Sequence, residues 1–281
     1  MNLNIVVDSG CDLRSIENLP EGITFSYVPL SIIIGENEFV DDEHLDIKDM
    51  VDKLYSYKGK TSTACPSPEA WYNEFLKGDE TFAVTITSGL SGSYNSAMLA
   101  KKMLAESHPE KKAYVLDSLS AGPEMTLITE KAIELALSGL SFEELCAEAE
   151  EYKKRRTHII FVLKSLENLA KNGRVSKAVA KVAGMLNIYA IGIATGEGTI
   201  KLINQCRGMS KAYSKVAEEI KQLGFENGKI IISHCLNEPA VEMLKKLFAE
   251  AFGAVKIDVM PASALCTYYA EKGGVLIGFE A

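Results

Sequence analysis

The amino-acid sequence predicts an α/β fold, with a mainly parallel sheet in its first half and a mixed sheet in its second. Short β-branched runs alternate with stretches of helical periodicity, which is typical of β–α–β units. Glycine- and serine-rich turns follow several early strands, at the position where a parallel sheet exposes its carboxyl edge. A glycine turn at 196–198 between two apolar runs indicates an antiparallel hairpin later in the chain.

The first half contains four predicted strands and five predicted helices. The first strand, Leu3–Val7, ends in a turn that begins at Asp8. From Ile47 the apolar residues recur at i+3, i+4, i+7 and i+8, which predicts a helix that Asp46 can cap. The other elements follow from β-branched runs or capping signals: strands over 25–34, 81–86 and 113–116, and helices that begin near Ser67, Ser93, Pro123 and the Ser141/Glu144 capping box.

The second half begins after the basic run Lys153–Arg156, where the pattern of predicted strands and helices changes. At 281 residues the chain is long enough for two moderate domains. We therefore expect an α/β domain over 1–156 and a mixed domain over 157–281. The predicted elements of the second domain are strands over 158–163, 188–194, 199–206, 229–235, 254–260 and 275–279, and helices over 165–172, 208–223 and 238–251.

Composition and charge exclude several classes of function. The 30 Lys and Arg against 38 Asp and Glu give a net charge of −8, which argues against affinity built on phosphate neutralisation and thus against nucleic acid. The apolar runs fall far short of the roughly 20 residues of a membrane span, and the N-terminus lacks the pattern of a signal peptide. We expect a soluble cytoplasmic protein rather than an integral membrane protein.

Metal chemistry is not expected either. The six cysteines are scattered with no CxxC pair, and no two of the four histidines have the i, i+4 spacing of a ligand pair. Free buried thiols and no metal site are the prediction.

The most informative segment is the Gly/Ser loop at 87–93, between a predicted strand and a predicted helix. Such a loop presents unpaired backbone N–H groups at the positive end of a helix and therefore suits a phosphate or a carboxylate. It contains no lysine, so it is not a nucleotide P-loop. The alternative is a tight turn that needs glycine only for its backbone.

Gly89–Ser93 also has some likeness to the nucleophile elbow of serine hydrolases. Here the second glycine follows Ser91 directly, so the GxSxG spacing is broken, and no acid–histidine pair follows in a convincing order. A serine-dependent acyl hydrolase is thus the weaker alternative to a binding site.

A hydroxyl-rich segment over 61–68 precedes another predicted helix and could face the first loop across the sheet edge. Hydroxyls and amides hydrogen-bond a carboxylate without adding charge. Helix capping, which Ser67 alone explains, is the simpler interpretation of these residues.

Taken together, the motifs of this chain resemble those of the DegV family in order and spacing over essentially its whole length. The motifs are Asp8-Ser9-Gly10-Cys11-Asp12-Leu13, the stretch Ser62–Pro68, Ser88-Gly89-Leu90-Ser91-Gly92-Ser93-Tyr94, Asp117-Ser118, and Leu166-Glu167-Asn168-Leu169-Ala170-Lys171-Asn172-Gly173-Arg174-Val175-Ser176. SGLSGSY and LENLxxxGRxS together are specific, although either alone is weak.

The resemblance implies a fatty-acid-binding protein that encloses one long-chain fatty acid between its two domains. The protein itself is then not an enzyme and needs no cofactor. It presents the carboxylate to a separate fatty acid kinase subunit, which forms an acyl phosphate for phospholipid synthesis. A lipid sensor without a kinase partner is a further alternative.

The resemblance also implies the site residues. The carboxylate is expected on Thr63 and Ser91, with the Gly92 amide beside them and Ser62 as the alternative to Thr63. A family histidine near the C-terminus has no counterpart here; Tyr269, or else Tyr268, takes its place. The family's partner-facing arginines correspond to Arg174 and Arg207. Apolar residues at 159–163, 182–193 and 230–232 are candidates for the tunnel wall, or are plain core.

Overall fold

The computed structural model describes residues 2–183 and 186–281 of the chain. The predicted tunnel segment 182–193 includes residues 184 and 185, which lie outside the described residues. The strands are β1 (Leu3–Asp8), β2 (Ile23–Val28), β3 (Ser31–Ile34), β4 (Asn37–Val40), β5 (Thr61–Ala64), β6 (Glu80–Thr85), β7 (Lys112–Asp117), β8 (Thr157–Leu163), β9 (Ile188–Ala194), β10 (Ile200–Arg207), β11 (Ile230–His234), β12 (Ile257–Pro261) and β13 (Val275–Glu280). The helices are α1 (Ile47–Ser56), α2 (Pro68–Phe75), α3 (Ser93–Ser107), α4 (Pro123–Leu137), α5 (Phe142–Arg156), α6 (Glu167–Lys171), α7 (Lys177–Ala183), α8 (Met209–Gln222), α9 (Glu238–Phe252) and α10 (Ala264–Ala270).

The predicted parallel sheet is confirmed. Its order is β2-β1-β6-β7, and every neighbouring pair is parallel. Successive side chains of a strand face opposite sides of the sheet, so Ile5 and Val7 pack on α4 and α5 while Val6 packs on α2 and α3. Helices on both faces leave the carboxyl edge of the strands as the open side of this sheet.

The second large sheet is mixed, as predicted. Its order is β10-β9-β8-β13-β11-β12, and only the pair β11/β12 is parallel. One face packs on α8 and α9 through Ile160 and Val162 of β8. The other face presents Ile159, Phe161 and Leu163 to a separate apolar cluster that includes α6 and α10.

The sequence did not predict a third sheet, which is antiparallel and has the order β4-β3-β5. The predicted single strand over 25–34 is wrong: it is divided between β2 of the parallel sheet and β3 of the small sheet. Pro29 lacks an N–H group and cannot donate to a ladder, and the Leu30 N–H donates to Ser9 Oγ (2.9 Å) instead. The chain therefore changes sheets at this point.

The capping signals in the sequence form the bonds that they predict. The Asp46 carboxylate accepts from the N–H groups of Lys48 and Asp49 at the start of α1. Ser67 accepts from Ala70 N, and Ser141 with Glu144 forms a complete capping box on α5. The boundaries of these helices were readable from the chain because the caps are local.

The two large sheets draw their strands from different parts of the chain: residues 3–117 for the parallel sheet and 157–280 for the mixed one. The mixed sheet packs closely on α4 of the first half, since a Cβ atom on Gly278 of β13 would lie 2.7 Å from Glu124 N at the start of that helix. The division into domains at residue 156 stays a prediction. Within the described residues, no helix has the length and hydropathy that a bilayer crossing requires.

Candidate functional site

A cavity lies where the carboxyl edge of the parallel sheet faces the mixed sheet. Its walls come from the loops after β6 and β7, from the inner face of β8, and from α10. The empty volume is about 840 Å³, part of it open to solvent. Ile159, Phe161 and Leu163 make one wall apolar over three successive inward positions of β8.

Four polar side chains that line this cavity form one group, here called the polar cluster: Thr63, Ser91, Arg174 and Tyr269. Thr63 Oγ1 and Tyr269 Oη share a hydrogen bond of 2.8 Å. Arg174 Cζ lies 5.6 Å from the centre of the Tyr269 ring, and its Nε donates to the carbonyl of Leu90, next to Ser91 (3.1 Å). Four distant parts of the chain therefore meet in the wall of a cavity that is otherwise mostly apolar, with Thr87, Ser120 and Thr199 as its other polar side chains.

Thr63 owes its position to β5, which the sequence suggested only as a hydroxyl-rich segment. Neighbouring residues of a strand face opposite sides, so Ser62 points away from the side that Thr63 occupies. Thr63 lines the cavity and Ser62 does not. Of these two candidates, the geometry favours Thr63.

The two tyrosines of α10 have different surroundings. Tyr268 is fully buried, and its Oη bonds Thr61 Oγ1 (2.7 Å) and accepts from Asn172 Nδ2 (2.8 Å). Tyr269 lines the cavity. Burial raises the pKa of Tyr269, against the opposing effects of Thr63 and Arg174, so the phenol stays protonated and able to donate. Of the two tyrosines, Tyr269 is therefore the one that can donate a hydrogen bond into the cavity.

Helix α10 is anchored by carboxylates from the first half of the chain. Asp12 Oδ1 accepts from Ser263 N (2.8 Å), and the Asp41 oxygens accept from Ala264 N (3.1 Å) and Leu265 N (3.0 Å). Arg14 donates to Asp41 Oδ1 (3.0 Å). The sequence analysis missed α10, whose residues are buried on nearly every side and show no amphipathic period, although Ser263 caps it by accepting from Cys266 N (3.1 Å).

Asp8, at the end of β1, fixes the Gly/Ser loop. Its carboxylate accepts from Gly10 N (3.0 Å), from Ile86 N (2.9 Å) and from Ser93 Oγ (2.6 Å), and so ties β1, β6 and the first residue of α3 together. Burial raises the pKa of Asp8 to about 6, although these bonds and Arg14 oppose the shift. In the sequence, the position of Asp8 directly after a predicted buried strand was the feature that could have indicated its role in fixing the loop.

The N-terminus of α3 is arranged to receive an anion. Its N-cap is Gly92, which has no side chain with which to cap the helix, and its first turn carries no acid. Ser91 Oγ accepts from the N–H group of Ser93, the first residue of α3 (3.3 Å), and the positive end of the helix dipole lies at the same point. Gly92 itself does not line the cavity, while Ser91 beside it does.

The two predicted partner-facing arginines are placed differently. Arg207 is exposed at the end of β10. Arg174 is half-buried in the cavity wall, where Nη1 donates to Asn172 O (2.6 Å). The cavity wall therefore contains a guanidinium group in addition to the hydroxyl and amide donors that were predicted for the carboxylate.

Among the described residues, those that line the cavity around Ser91 do not supply the partners of a catalytic triad. Ser91 Oγ accepts from Ser93 N (3.3 Å), and none of the described residues that line the cavity is a histidine. In the part of the chain that the structure describes, no three His, Cys, Asp or Glu side chains form a group that could hold a metal ion.

Only one of the six thiols should react in the folded protein. Cys65 is exposed and the other five are buried, and burial raises the pKa of Cys11 to about 11 and that of Cys235 to about 12. We expect titration with Ellman's reagent at pH 8 to find one reactive thiol per native chain and six after unfolding. The variant Cys65→Ala should reduce the native value to zero; rapid reaction of a second thiol would contradict this assignment.

Comparison with known proteins gives consistent results. A model of the DegV family, described as uncharacterised proteins, matches residues 2–281. A DegV domain-containing protein of Streptococcus gordonii is 42% identical over 280 residues, covering 100% of this chain and 99% of its own.

Two solved structures are also very similar. The Streptococcus pneumoniae Fatty Acid Kinase (Fak) B3 protein loaded with linoleic acid has a TM-score of 0.97 at 41% identity and covers 100% of this chain and 99% of its own. A protein of Eubacterium eligens loaded with heptadecanoic acid has a TM-score of 0.94 at 41% identity and covers 99% of each chain.

Proposed function

This chain belongs to the DegV family, and from that premise we propose that it binds one long-chain fatty acid in the cavity between its two large sheets. The observation that carries the proposal is the polar cluster at one end of an otherwise largely apolar cavity. That distribution matches an amphiphile with a single acidic end. The fatty acids named for the structures from S. pneumoniae and E. eligens are molecules of this kind.

The carboxylate is held by the polar cluster. Thr63, Ser91 and Tyr269 supply hydroxyl donors. The Gly92 amide and the dipole of α3 contribute partial positive charge, and Arg174 contributes a full positive charge. Hydrogen bonds to a charged group contribute about 1.5–3 kcal/mol each when buried. These groups orient the acid and select a carboxylate over a neutral head group.

The acyl chain supplies most of the affinity. At about 0.8 kcal/mol per buried CH₂, roughly fifteen methylenes contribute ~12 kcal/mol before the costs of association are subtracted. The inward side chains of β8 and those of Leu265 and Leu276 supply the apolar contact surface. Strong binding therefore does not depend on a perfect head-group site.

The protein is a carrier, and the chemistry belongs to a separate kinase that phosphorylates the bound carboxylate. Support comes from the similarity to a protein named as a component of fatty acid kinase. Arg207, exposed at the end of β10, is available to a partner surface. Mixing the loaded protein with a fatty acid kinase and ATP tests this step, since a lipid sensor without a kinase partner would yield no acyl phosphate.

Mass spectrometry of the purified protein tests the binding proposal itself. We expect one fatty acid per chain in the native spectrum and a long-chain acid in the extracted lipid. A fluorophosphonate probe should leave Ser91 unlabelled, because no described histidine lines the cavity beside it. A lipid-free protein that also fails to take up added fatty acid, or stoichiometric labelling of Ser91, would refute the carrier function.

A further inference from the structure

A second cavity lies directly behind the far end of the first. Its empty volume is about 1050 Å³, part of it open to solvent. Three residues line both cavities: Leu119, Ile159 and Ala194. These three are called the partition below, because they are the wall that the two cavities share.

The partition lies at the opposite end of the first cavity from the polar cluster. Strand β8 lines the first cavity from Ile159 to Leu163, and these two residues lie about 13 Å apart at the usual rise per residue of a strand. After β8 the chain passes into α6, whose Asn168 donates to the carbonyl of Tyr268 (2.9 Å), next to Tyr269. At the other end Ala194 follows Ile193, which pairs with Ile160, so Ala194 lies beside Ile159.

Charged side chains line the space beyond the partition, together with apolar ones such as Ile193 and Leu223. Glu124, Glu150 and Lys153 line it. Lys153 Nζ pairs with Glu150 and donates to the carbonyl of Asp117 (3.1 Å), and Thr157 Oγ1 donates to Glu124 (2.8 Å). An acyl chain that entered this space would displace water from charged groups, which is unfavourable.

Leu119 is held in the partition by a constrained backbone. Its φ angle of +54° is rare for a bulky residue. Its N–H donates to Asp117 Oδ1 (3.1 Å), and the following carbonyl, that of Ser120, accepts from Thr87 N (2.8 Å). On the mixed-sheet side, a Cβ atom on Gly198 would lie 3.0 Å from Leu119 Cα. The surrounding loops thus fix the leucine where the two cavities meet.

We propose that Leu119, with Ile159 and Ala194 beside it, is the stop that sets the longest acyl chain the first cavity accepts. The inference rests on the proposed function and deepens it, because it assigns chain-length selection to named residues. Affinity rises with chain length until the methyl end meets Leu119. Longer acids must bend or push their ends among the charged groups behind it.

The test measures the affinity of delipidated protein for saturated acids from about 14 to about 22 carbons, where each additional buried methylene raises affinity about fourfold. In the unmodified protein this rise should stop at a limiting length. Leu119→Gly should move the limit at least two carbons upward, and glycine adopts a positive φ freely, so this variant keeps its fold. Leu119→Phe should move the limit downward.

Leu276→Ala is the matched control, because Leu276 lines the first cavity only. It should lower affinity for all chain lengths and keep the limit. If Leu119→Phe does not fold, Ala194→Leu replaces it, because this variant should also lower the limiting chain length. If the protein binds fatty acids but the limiting chain length is unchanged in the Leu119 variants, the proposed role of Leu119 is wrong and the proposed function stands. If the protein binds no acid of any length, both the proposed function and the role of Leu119 are wrong.

Discussion

Replacing Thr63 by valine and Ser91 by alanine should each weaken fatty-acid binding roughly ten- to hundredfold, the range that corresponds to one charge-assisted hydrogen bond. Valine keeps the shape and β-branching that suit Thr63 to β5, so the strand is retained. Loss of the bond to Tyr269 should cost only about 1 kcal/mol of stability. Affinity is measured on delipidated protein and folding by thermal unfolding.

Thr61→Val is the matched control for this experiment. Thr61 lies on the same strand and bonds the neighbouring tyrosine, Tyr268, but it does not line the cavity. We expect this variant to lose some stability and no affinity. Equal losses of affinity in Thr61→Val and Thr63→Val would show that the strand, and not the Thr63 hydroxyl, governs binding.

Glu124→Gln should make the protein more stable at pH 8 by up to about 3 kcal/mol and leave its stability near pH 4.5 little changed. Glu124 is buried at the start of α4, and burial raises its pKa from 4.5 to about 7, opposed by the hydrogen bond from Thr157 and the charge of Lys153. A shift of this size corresponds to about 3 kcal/mol between the two protonation states.

The sign follows from proton linkage. The folded-state pKa lies above the unfolded value, so the contribution of Glu124 to stability is fully present below about pH 4.5 and is lost as the pH rises through about 7. Glutamine does not titrate, so the free energy of unfolding of the Glu124→Gln variant does not include this decline.

Urea unfolding between pH 4.5 and 8 measures the difference between the two proteins. Asp8 and Asp12, whose pKa values burial raises to about 6, impose their own pH dependence on both proteins, so the difference isolates Glu124. Glu148→Gln, at an exposed position of α5, is the control and should leave the pH profile unchanged. Parallel profiles for the wild type and Glu124→Gln would contradict the assigned shift.

Most of the fold was predictable because its signals are local. The β-branched runs gave the strands of the parallel sheet, and the caps at Asp46, Ser67 and Ser141 gave three helix starts. The small sheet was missed because its strands are only four residues long and Pro29 interrupts what otherwise continues as one extended run.

The site was only partly predictable, for a different reason. Hydroxyls at Thr63 and Ser91 and the tyrosine pair were recognised from motifs. The bond between Thr63 and Tyr269 joins residues 206 positions apart, and no spacing rule predicts such a contact. The placement of Arg174 in the cavity wall depends on the path of the chain after α6, which the sequence alone does not give.

The anchoring of α10 restricts how this protein can evolve by exchange of segments. Asp12 and Asp41 are buried carboxylates whose acceptor bonds are completed by backbone amides more than 220 residues away. If the first half were joined to a foreign second half without an equivalent helix, both carboxylates would lose these amide donors, and Asp41 would keep only its bond from Arg14. We therefore expect that recombination between distant relatives near residue 156 yields chimaeras that fold poorly.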